Sequence, residues 1–226
     1  MNTKSDLFGA ELNARRRCWS DCNNHLDFIG GFRYLNLKET LTIQEDTLGL
    51  AGAGQQAGVQ RLLTDNFATK NSFYGIQVGA IFEHTIGRWS FDIRGKIAAG
   101  VMRETSTISG QIVAVSGGAP PTQPGGLLAL SSNSGSFKKN EFAWIPEIGV
   151  NVGYDITPNL RVFGGYSLMY ISDVARPGKQ IDRVLDENRI SDFGAAPAAS
   201  GVHPVGGVRS ESLWAQGVNV GLLFKW

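Results

Sequence analysis

The sequence predicts an all-β fold, an antiparallel up-and-down transmembrane β-barrel with about seven or eight strands visible in this chain. Three observations predict it. Apolar residues recur at every second position from end to end, whereas helical periodicity is almost absent. Short turns alternate with long polar connections. The 226 residues include 29 glycines, and aromatic residues make up 10% and charged residues 18%, which suits a β protein whose outside is not water.

The alternation is clearest in seven segments of the chain. Side chains of a strand point alternately to opposite faces, so each segment has one apolar face and one small or polar face. In the second segment, for example, Phe28, Phe32 and Tyr34 oppose Asp27 and Arg33. The predicted strands are Leu7 to Arg15, His25 to about Ile43, Phe73 to His84, Trp89 to about Ile108, Phe142 to Tyr154, Arg161 to Asp173 and Leu213 to Trp226.

The connections between these strands alternate in length. In a meander, every second connection lies at the same end, and membrane barrels have short turns at one end and long loops at the other. Because lipid cannot satisfy an open sheet edge, such a sheet must close. We therefore predict a single barrel domain over residues 1–226, or the C-terminal portion of a larger barrel. The short turns are 16–24, 85–88 and 155–159, and the long loops are about 44–70, 109–140 and 175–209.

The charged face then points into the barrel interior. Periodicity alone does not separate this arrangement from a soluble β-sandwich or lipocalin-like barrel, in which the charges would face water. About 8 strands leave no channel, so we expect a narrow or plugged lumen in which opposite charges pair. Specifically, we expect Arg94, Lys96 and Arg33 to pair with Asp92, Glu147 and Asp27. The predicted lumen-facing charges include these six, together with Glu11, Arg15, Arg161 and Lys225.

One residue inside the fifth predicted strand conflicts with the pattern. Pro146 has no backbone N–H to donate to a ladder. We therefore expect a local bulge at this position.

The sequence predicts no catalytic, cofactor or metal site. Cys18 and Cys22 have only His25 nearby, which is too few ligands for zinc, and a disulfide and two free thiols remain equally open. The segment Gly52–Ala57 formally fits a dinucleotide motif but lacks the βαβ context, so we interpret it as a loop. His25, His84 and His203 have no clear nucleophile partner, which argues against an enzyme, although outer-membrane hydrolases exist.

Several short segments resemble the "beta-barrel porin seven" family of outer-membrane proteins. They are Leu26–Leu35, Asp92–Lys96, Pro146–Asn151, Arg176–Asp182 and Trp214–Asn219. The resemblance implies a location in the cell outer membrane and brings no catalytic residues or cofactor. The chain departs from the family at its front, where family members carry a signal peptide and further strands.

The resemblance also implies partners. Outer-membrane lipid would surround the barrel, and the barrel-assembly machinery would recognise the C-terminal aromatic residues Phe224 and Trp226. A partial barrel would also need lateral partners, either a homo-oligomer or other envelope proteins. A net charge of +1 argues against nucleic acid. Two roles follow: a narrow porin-like pore, or a structural barrel that anchors long loops for partners outside.

Overall fold

The computed structural model describes residues 1–49, 58–115, 122–184 and 203–224. These residues form eight strands and one short helix, and that helix could not span a bilayer. The elements are β1 (Asn2–Ser20), β2 (Asn24–Leu48), β3 (Gln60–Ile86), β4 (Trp89–Val115), β5 (Thr122–Pro124), β6 (Gly135–Thr157), β7 (Leu160–Ala175), α1 (Pro177–Gln180) and β8 (Ser210–Phe224).

All strands belong to one antiparallel sheet, which confirms the predicted all-β, up-and-down fold. The strand order is β1-β2-β3-β4-β6-β7-β8, and the short β5 pairs only with β4. The sheet is strongly curled, because Arg33 on β2 contacts Glu147 on β6 and Met169 on β7 across its concave side. In the part of the chain that the structure describes, no ladder joins β1 to β8, so the sheet is not closed.

The register separates an inner, concave face from an outer, convex face. On the inner face, Leu35 pairs with Phe73, and Phe73 pairs with Met102; all three side chains are buried. On the outer face, the neighbouring residues Phe32 and Ile76 are exposed. The alternation in the sequence therefore assigns Phe32 to the correct, outer face of the sheet.

Aromatic residues form two belts on the outer face. The lower belt contains Trp89 and Tyr154, whose ring centroids lie 4.9 Å apart. The upper belt contains Tyr34, Tyr74, Trp144, Tyr170 and Trp214, which contact one another in two groups. Trp144 pairs with Ala99 on β4, the strand that begins at Trp89. At about 3.3 Å per residue and a tilt of about 35–45°, the two belts lie roughly 25 Å apart, which matches the apolar band of an outer-membrane barrel.

The strands extend further than the sequence predicted, and two predicted loops are therefore shorter. Ladder pairs continue above the upper belt to Leu48 and Gln60, so strands occupy most of the predicted loop 44–70. Likewise β4 continues to Val115 and β6 begins at Gly135, within the predicted loop 109–140. In these extensions the outer face is mostly polar and the apolar residues lie on the inner face, so the outer apolar ribbon stops although hydrogen bonding continues. The predicted loop 175–209 agrees with the end of β7 and the start of β8.

The expectation of a bulge at Pro146 is wrong. Pro146 pairs with Ile97 of β4 without a shift in register. On its other side, the β6–β7 ladder reaches only the pair Glu147–Met169 and ends there. The missing N–H is therefore accommodated by a split between β6 and β7 and not by an extra residue.

Candidate functional site

Four charged side chains form an ion-pair cluster in the middle of the curled sheet. Glu147 accepts from Arg33 Nη2 at 2.8 Å and lies 3.1 Å from Lys96 Nζ. Glu11 on β1 lies 2.9 Å from Lys96 Nζ and 3.6 Å from Arg33 Nη1. The Arg33 and Lys96 side chains are only 7% and 9% exposed. Two cations and two anions thus neutralise each other in a site that largely excludes water.

The other predicted lumen charges pair lower on the same face. Asp27 binds Arg15 and Arg17 of β1 and not Arg33, so that part of the predicted pairing is wrong. Arg94 pairs with Asp92 at 3.3 Å, as expected.

Arg161 occupies the lower end of the inner face. Its Nε lies 2.6 Å from Asp155 and its Nη1 lies 3.2 Å from Glu83. Each described residue of the predicted lumen-facing set thus lies in at least one ion pair, although the partners of Arg161 are outside that set. Lys225 lies outside the described residues.

Above the ion-pair cluster, apolar side chains on the inner face of the curled sheet fill the interior. They come from five strands, so side chains from opposite walls meet there. Gly75 makes room for this packing, because a Cβ at that position would strike the Phe73 ring and the Ala99 carbonyl. We call this set the inner apolar layer: Leu35, Leu37, Phe73, Ala98, Met102, Ala143, Ile145, Ile171 and Val174.

The segment from Val174 to Asp182 folds over this layer, and we call it the plug segment. Asn71 of β3 holds it by its backbone: the Asn71 amide donates to the Ala175 carbonyl at 2.8 Å, and Ala175 N–H donates to Asn71 Oδ1 at 2.7 Å. Both residues are fully buried. Asn36 supports Asn71 by donating to its carbonyl at 3.2 Å. An amide side chain thus imitates a strand partner across the interior.

Further contacts fix the remainder of the plug segment. Arg176 donates to the buried Glu39 at 3.0 and 3.2 Å, which raises the pKa of Arg176. Gln180 exchanges hydrogen bonds with the backbone of Arg209, at 2.7 and 2.9 Å. The sequence analysis placed this segment in a long loop and gave no signal of its inward course, because the anchors Glu39 on β2 and Asn71 on β3 lie more than a hundred residues away.

A buried carboxyl lies beside the plug segment, at Glu104 of β4. The residue is 1% exposed, and its Oε2 accepts from Ser210 at 2.7 Å. Burial raises the pKa of Glu104 above its ordinary value. Ionisation therefore opposes folding, because the folded state holds this proton more tightly than the unfolded state.

Glu104→Gln is expected to raise the midpoint of thermal unfolding at about pH 8 and to change it little at about pH 4. The reason is that the carboxyl is already neutral below its unfolded-state pKa, and only ionisation above it costs stability. Circular dichroism melts in detergent measure this. Asp46→Asn, at an exposed carboxylate of β2 that binds Gln60, is the control. A stabilisation of equal size at both pH values would contradict the assignment.

Asp182 closes the end of the plug segment. Its Oδ2 accepts from His203 Nδ1 and from Val205 N–H, both at 2.8 Å, and its Oδ1 accepts from Val184 N–H at 3.1 Å. The hydrogen bond from His203, followed by the one from Val205, lowers the pKa of Asp182 to about 2. The carboxylate thus ties the two described ends of the connection between α1 and β8 together.

Asp182→Asn is expected to destabilise this closure by about 1.5–3 kcal/mol, the usual contribution of a hydrogen bond to a charged group. Hydrogen exchange at the Val184 and Val205 amides measures it. In the unmodified protein, the contribution is present above the ordinary pKa of 3.8 and is lost as pH falls through about 2. Asp46→Asn, at an exposed carboxylate that binds Gln60, is the control. Unchanged hydrogen exchange at Val184 and Val205 in Asp182→Asn would show that this closure contributes no stability.

The remaining sequence-predicted positions are not brought together. Cys18 and Cys22 are exposed free thiols. His25 contacts Ser20 and His84 contacts Asn24, each at the lower end of the sheet and far along the chain from His203. In the described ranges no group of three residues could hold a metal ion. Phe224 ends β8, while Trp226 and the Gly52–Ala57 motif lie outside the described residues.

Comparison with known proteins gives one match. No curated protein and no solved structure matches this chain. One family model, described as "Putative beta barrel porin-7", matches residues 1–226 and thus the whole sequence. This match confirms the resemblance found in the short segments, and the antiparallel sheet with its charged inner face fits the description. The chain belongs to the putative beta barrel porin-7 family.

Proposed function

We propose that this protein is a porin-like barrel protein of the bacterial outer membrane whose lumen is plugged. Membership in a barrel porin family supports the location, as do the outer apolar face and the two aromatic belts. The paired interior charges support a lumen without strong ion selectivity, because selective pores use rings of one sign. The proposal includes no catalytic step, cofactor or metal.

The inner apolar layer is the observation that carries the plugged lumen. A water-filled pore needs a continuous polar path, and residues from opposite walls interrupt that path at the level of the upper belt. Phe73, Met102, Ile145 and Ile171 are all fully buried there. The plug segment covers the layer, with both polar backbone groups of Ala175 satisfied by Asn71.

Planar-bilayer recording tests this proposal. Folded protein, recognised by heat-modifiable gel mobility, is expected to insert and to carry almost no steady current. Reconstitution into vesicles followed by flotation measures how much protein inserts into the membrane. A large and steady conductance from the unmodified protein would refute the plugged lumen and favour an open pore.

The strand extensions favour a second role, in which the barrel anchors a surface that meets partners outside the membrane. Strands β2, β3 and β4 continue well above the upper belt, and the extension has its own apolar cluster. Its buried members are Leu41, Phe67, Ile108 and Ala129. Asp65 fixes the adjoining connection by accepting from three consecutive backbone N–H groups, of Leu127, Leu128 and Ala129. An extension with ordered strands, an apolar cluster and a fixed connection presents a defined surface, which favours a role in binding partners.

A shortened hairpin tests the anchoring role. Gln44 and Thr64 are a ladder pair, so a two-residue Asn-Gly turn between them removes 45–63 and leaves the lower sheet intact. Cross-linking in intact cells is expected to lose envelope partners of the extension. Survival of every cross-link would count against this role.

The proposed partners follow from the same arrangement. Lipid covers the outer face, and the assembly machinery binds the C-terminal strand through Phe224 and Trp226. Among the described residues, the outer edges of β1 and β8 have no ladder partner. We expect a second copy or another envelope protein to supply strands there, because lipid cannot satisfy an open edge. Oligomeric mass in detergent tests this lateral pairing, and a stable monomer with slow hydrogen exchange at both edges would reject it.

A further inference from the structure

The split between β6 and β7 opens the wall of the sheet at one place. Below it, the ladder runs from Thr157–Leu160 to Glu147–Met169, with one register shift between Asp155 and Thr157. Above it, β6 remains paired with β4 as far as Gly135, and β7 remains paired with β8 as far as Ala175. Each strand therefore keeps one partner and loses the other.

Two features of the chain produce the split. Pro146 cannot donate a hydrogen bond toward β7, which ends the ladder at its neighbour Glu147. Above that point β7 turns inward, because Asn71 on the opposite wall holds Ala175. A register shift between Ile171 and Val174 lets β8 follow. The same inward course that plugs the interior thus separates the two strands.

The split forms a groove of about 560 Å³ on the outer face. This volume lies in the range of about 300–1,000 Å³ that is usual for ligand pockets. Apolar surface predominates, from Ile148, Leu168 and the rings of Trp144, Tyr170 and Trp214, while Pro146, Glu147 and Ser212 also line the groove. The Tyr170 ring lies 5.3 Å from that of Trp144 and 4.7 Å from that of Trp214, so the three rings cross the groove in a row.

The position of the groove determines what can occupy it. Pro146 pairs with Ile97 and Trp144 with Ala99, which places the groove roughly 20–25 Å above the lower belt at about 3.3 Å per residue and a tilt of about 40°. The groove therefore opens at the upper edge of the apolar band, where hydrocarbon meets head groups. Trp144 N–H donates to Ser172 Oγ at 3.1 Å, which satisfies one backbone donor that the split leaves without a strand partner. Because the proposed function, on which this inference rests, places lipid against this face, the molecule available to fill the groove is a lipid acyl chain.

We propose that the groove at Pro146 is a lateral binding site for one acyl chain of an outer-leaflet lipid. The aromatic row contacts the chain near its polar head, and Ile148 and Leu168 contact its methylene groups. Ser212 at the rim faces the head group. The site requires lipid on the outer face but not a conducting or plugged lumen, so its test is separate from the bilayer recording.

Photo-cross-linking in vesicles tests the site. The unmodified protein is reconstituted with a phospholipid that carries a diazirine on one acyl chain, and labelled peptides are mapped by mass spectrometry. Labelling of 144–148 and 168–170 is expected to exceed labelling of the outer-face residues Ile76 and Val78 several-fold. Equal labelling around the whole outer face would overturn the proposal.

A filling variant and a matched control sharpen the result. Ser212→Trp places a large ring in the rim and is expected to reduce groove labelling several-fold. Val220→Trp adds the same ring to the outer face of β8 away from the groove and is expected to leave labelling unchanged. Heat-modifiable mobility establishes that both variants fold. Labelling of Ser212→Trp at the unmodified level would overturn the proposal, as would labelling by a free diazirine fatty acid but not by the phospholipid.

Discussion

Replacing Glu147 by glutamine is expected to lower the free energy of unfolding by about 3–5 kcal/mol, the usual cost of removing one partner from a buried ion pair. Glu147 contacts both Arg33 and Lys96, at 2.8 and 3.1 Å, and both cations are almost fully buried. Without it, Glu11 alone faces two positive charges. Urea-induced unfolding of the protein in lipid vesicles, followed by tryptophan fluorescence, measures the loss.

Two further variants separate charge imbalance from lost packing. Glu147→Gln combined with Lys96→Met removes one charge of each sign, so we expect it to recover most of the stability. Glu141→Gln disrupts an exposed pair with Lys139 on the same strand and is expected to be nearly neutral. If the double variant is as unstable as Glu147→Gln alone, the four charges do not act as a neutral cluster.

Replacing Asn71 by leucine is expected to produce channel openings in a barrel whose lumen we propose to be plugged. The substitution keeps similar bulk but removes both hydrogen bonds that hold Ala175. Each buried backbone group left unpaired costs about 1–3 kcal/mol, which favours release of the plug segment from the inner apolar layer. Single-channel recording in planar bilayers, with stepwise currents compared per inserted protein, measures the effect.

The control is Asn66→Leu, a change of the same kind on the same strand but on the outer face, where Asn66 accepts from Thr42 at 3.3 Å. It is expected to remain closed. Hydrogen exchange at the Ala175 amide shows whether the plug segment is released in Asn71→Leu. Fast exchange at Ala175 without any current would mean that the plug segment does not close the lumen.

The face of each strand could be read from the sequence, because the period of a strand is two and the apolar band of this sheet is continuous. Phe28, Phe32 and Tyr34 lie outside and Asp27 and Arg33 inside, as predicted. Strand ends above the upper belt could not be read, because their outer faces are polar. Hydrogen bonding to the neighbouring strand, and not an apolar outer face, extends β3 to its first residue, Gln60.

Partners across the interior were harder to predict than faces. Two ion pairs were expected from the sequence. One joins the neighbouring strands β4 and β6, between Lys96 and Glu147, and the other lies within β4, between Arg94 and Asp92. Arg33 instead reaches Glu147 on a strand that is not its neighbour, which depends on how tightly the sheet curls. Curvature is a property of the whole sheet, so no local segment of sequence specifies it.

The sequence by itself determined the seven long strands without their upper ends, the order of these strands, the two faces and the family, since all of these follow from local alternation and short motifs. Only the tertiary structure decided that the interior is filled by an apolar layer, that Asn71 holds the plug segment, and that the wall is split at Pro146. These three features share one physical reason. Each depends on contacts between residues far apart in the chain, which exist only once the sheet has curled and brought its opposite walls together.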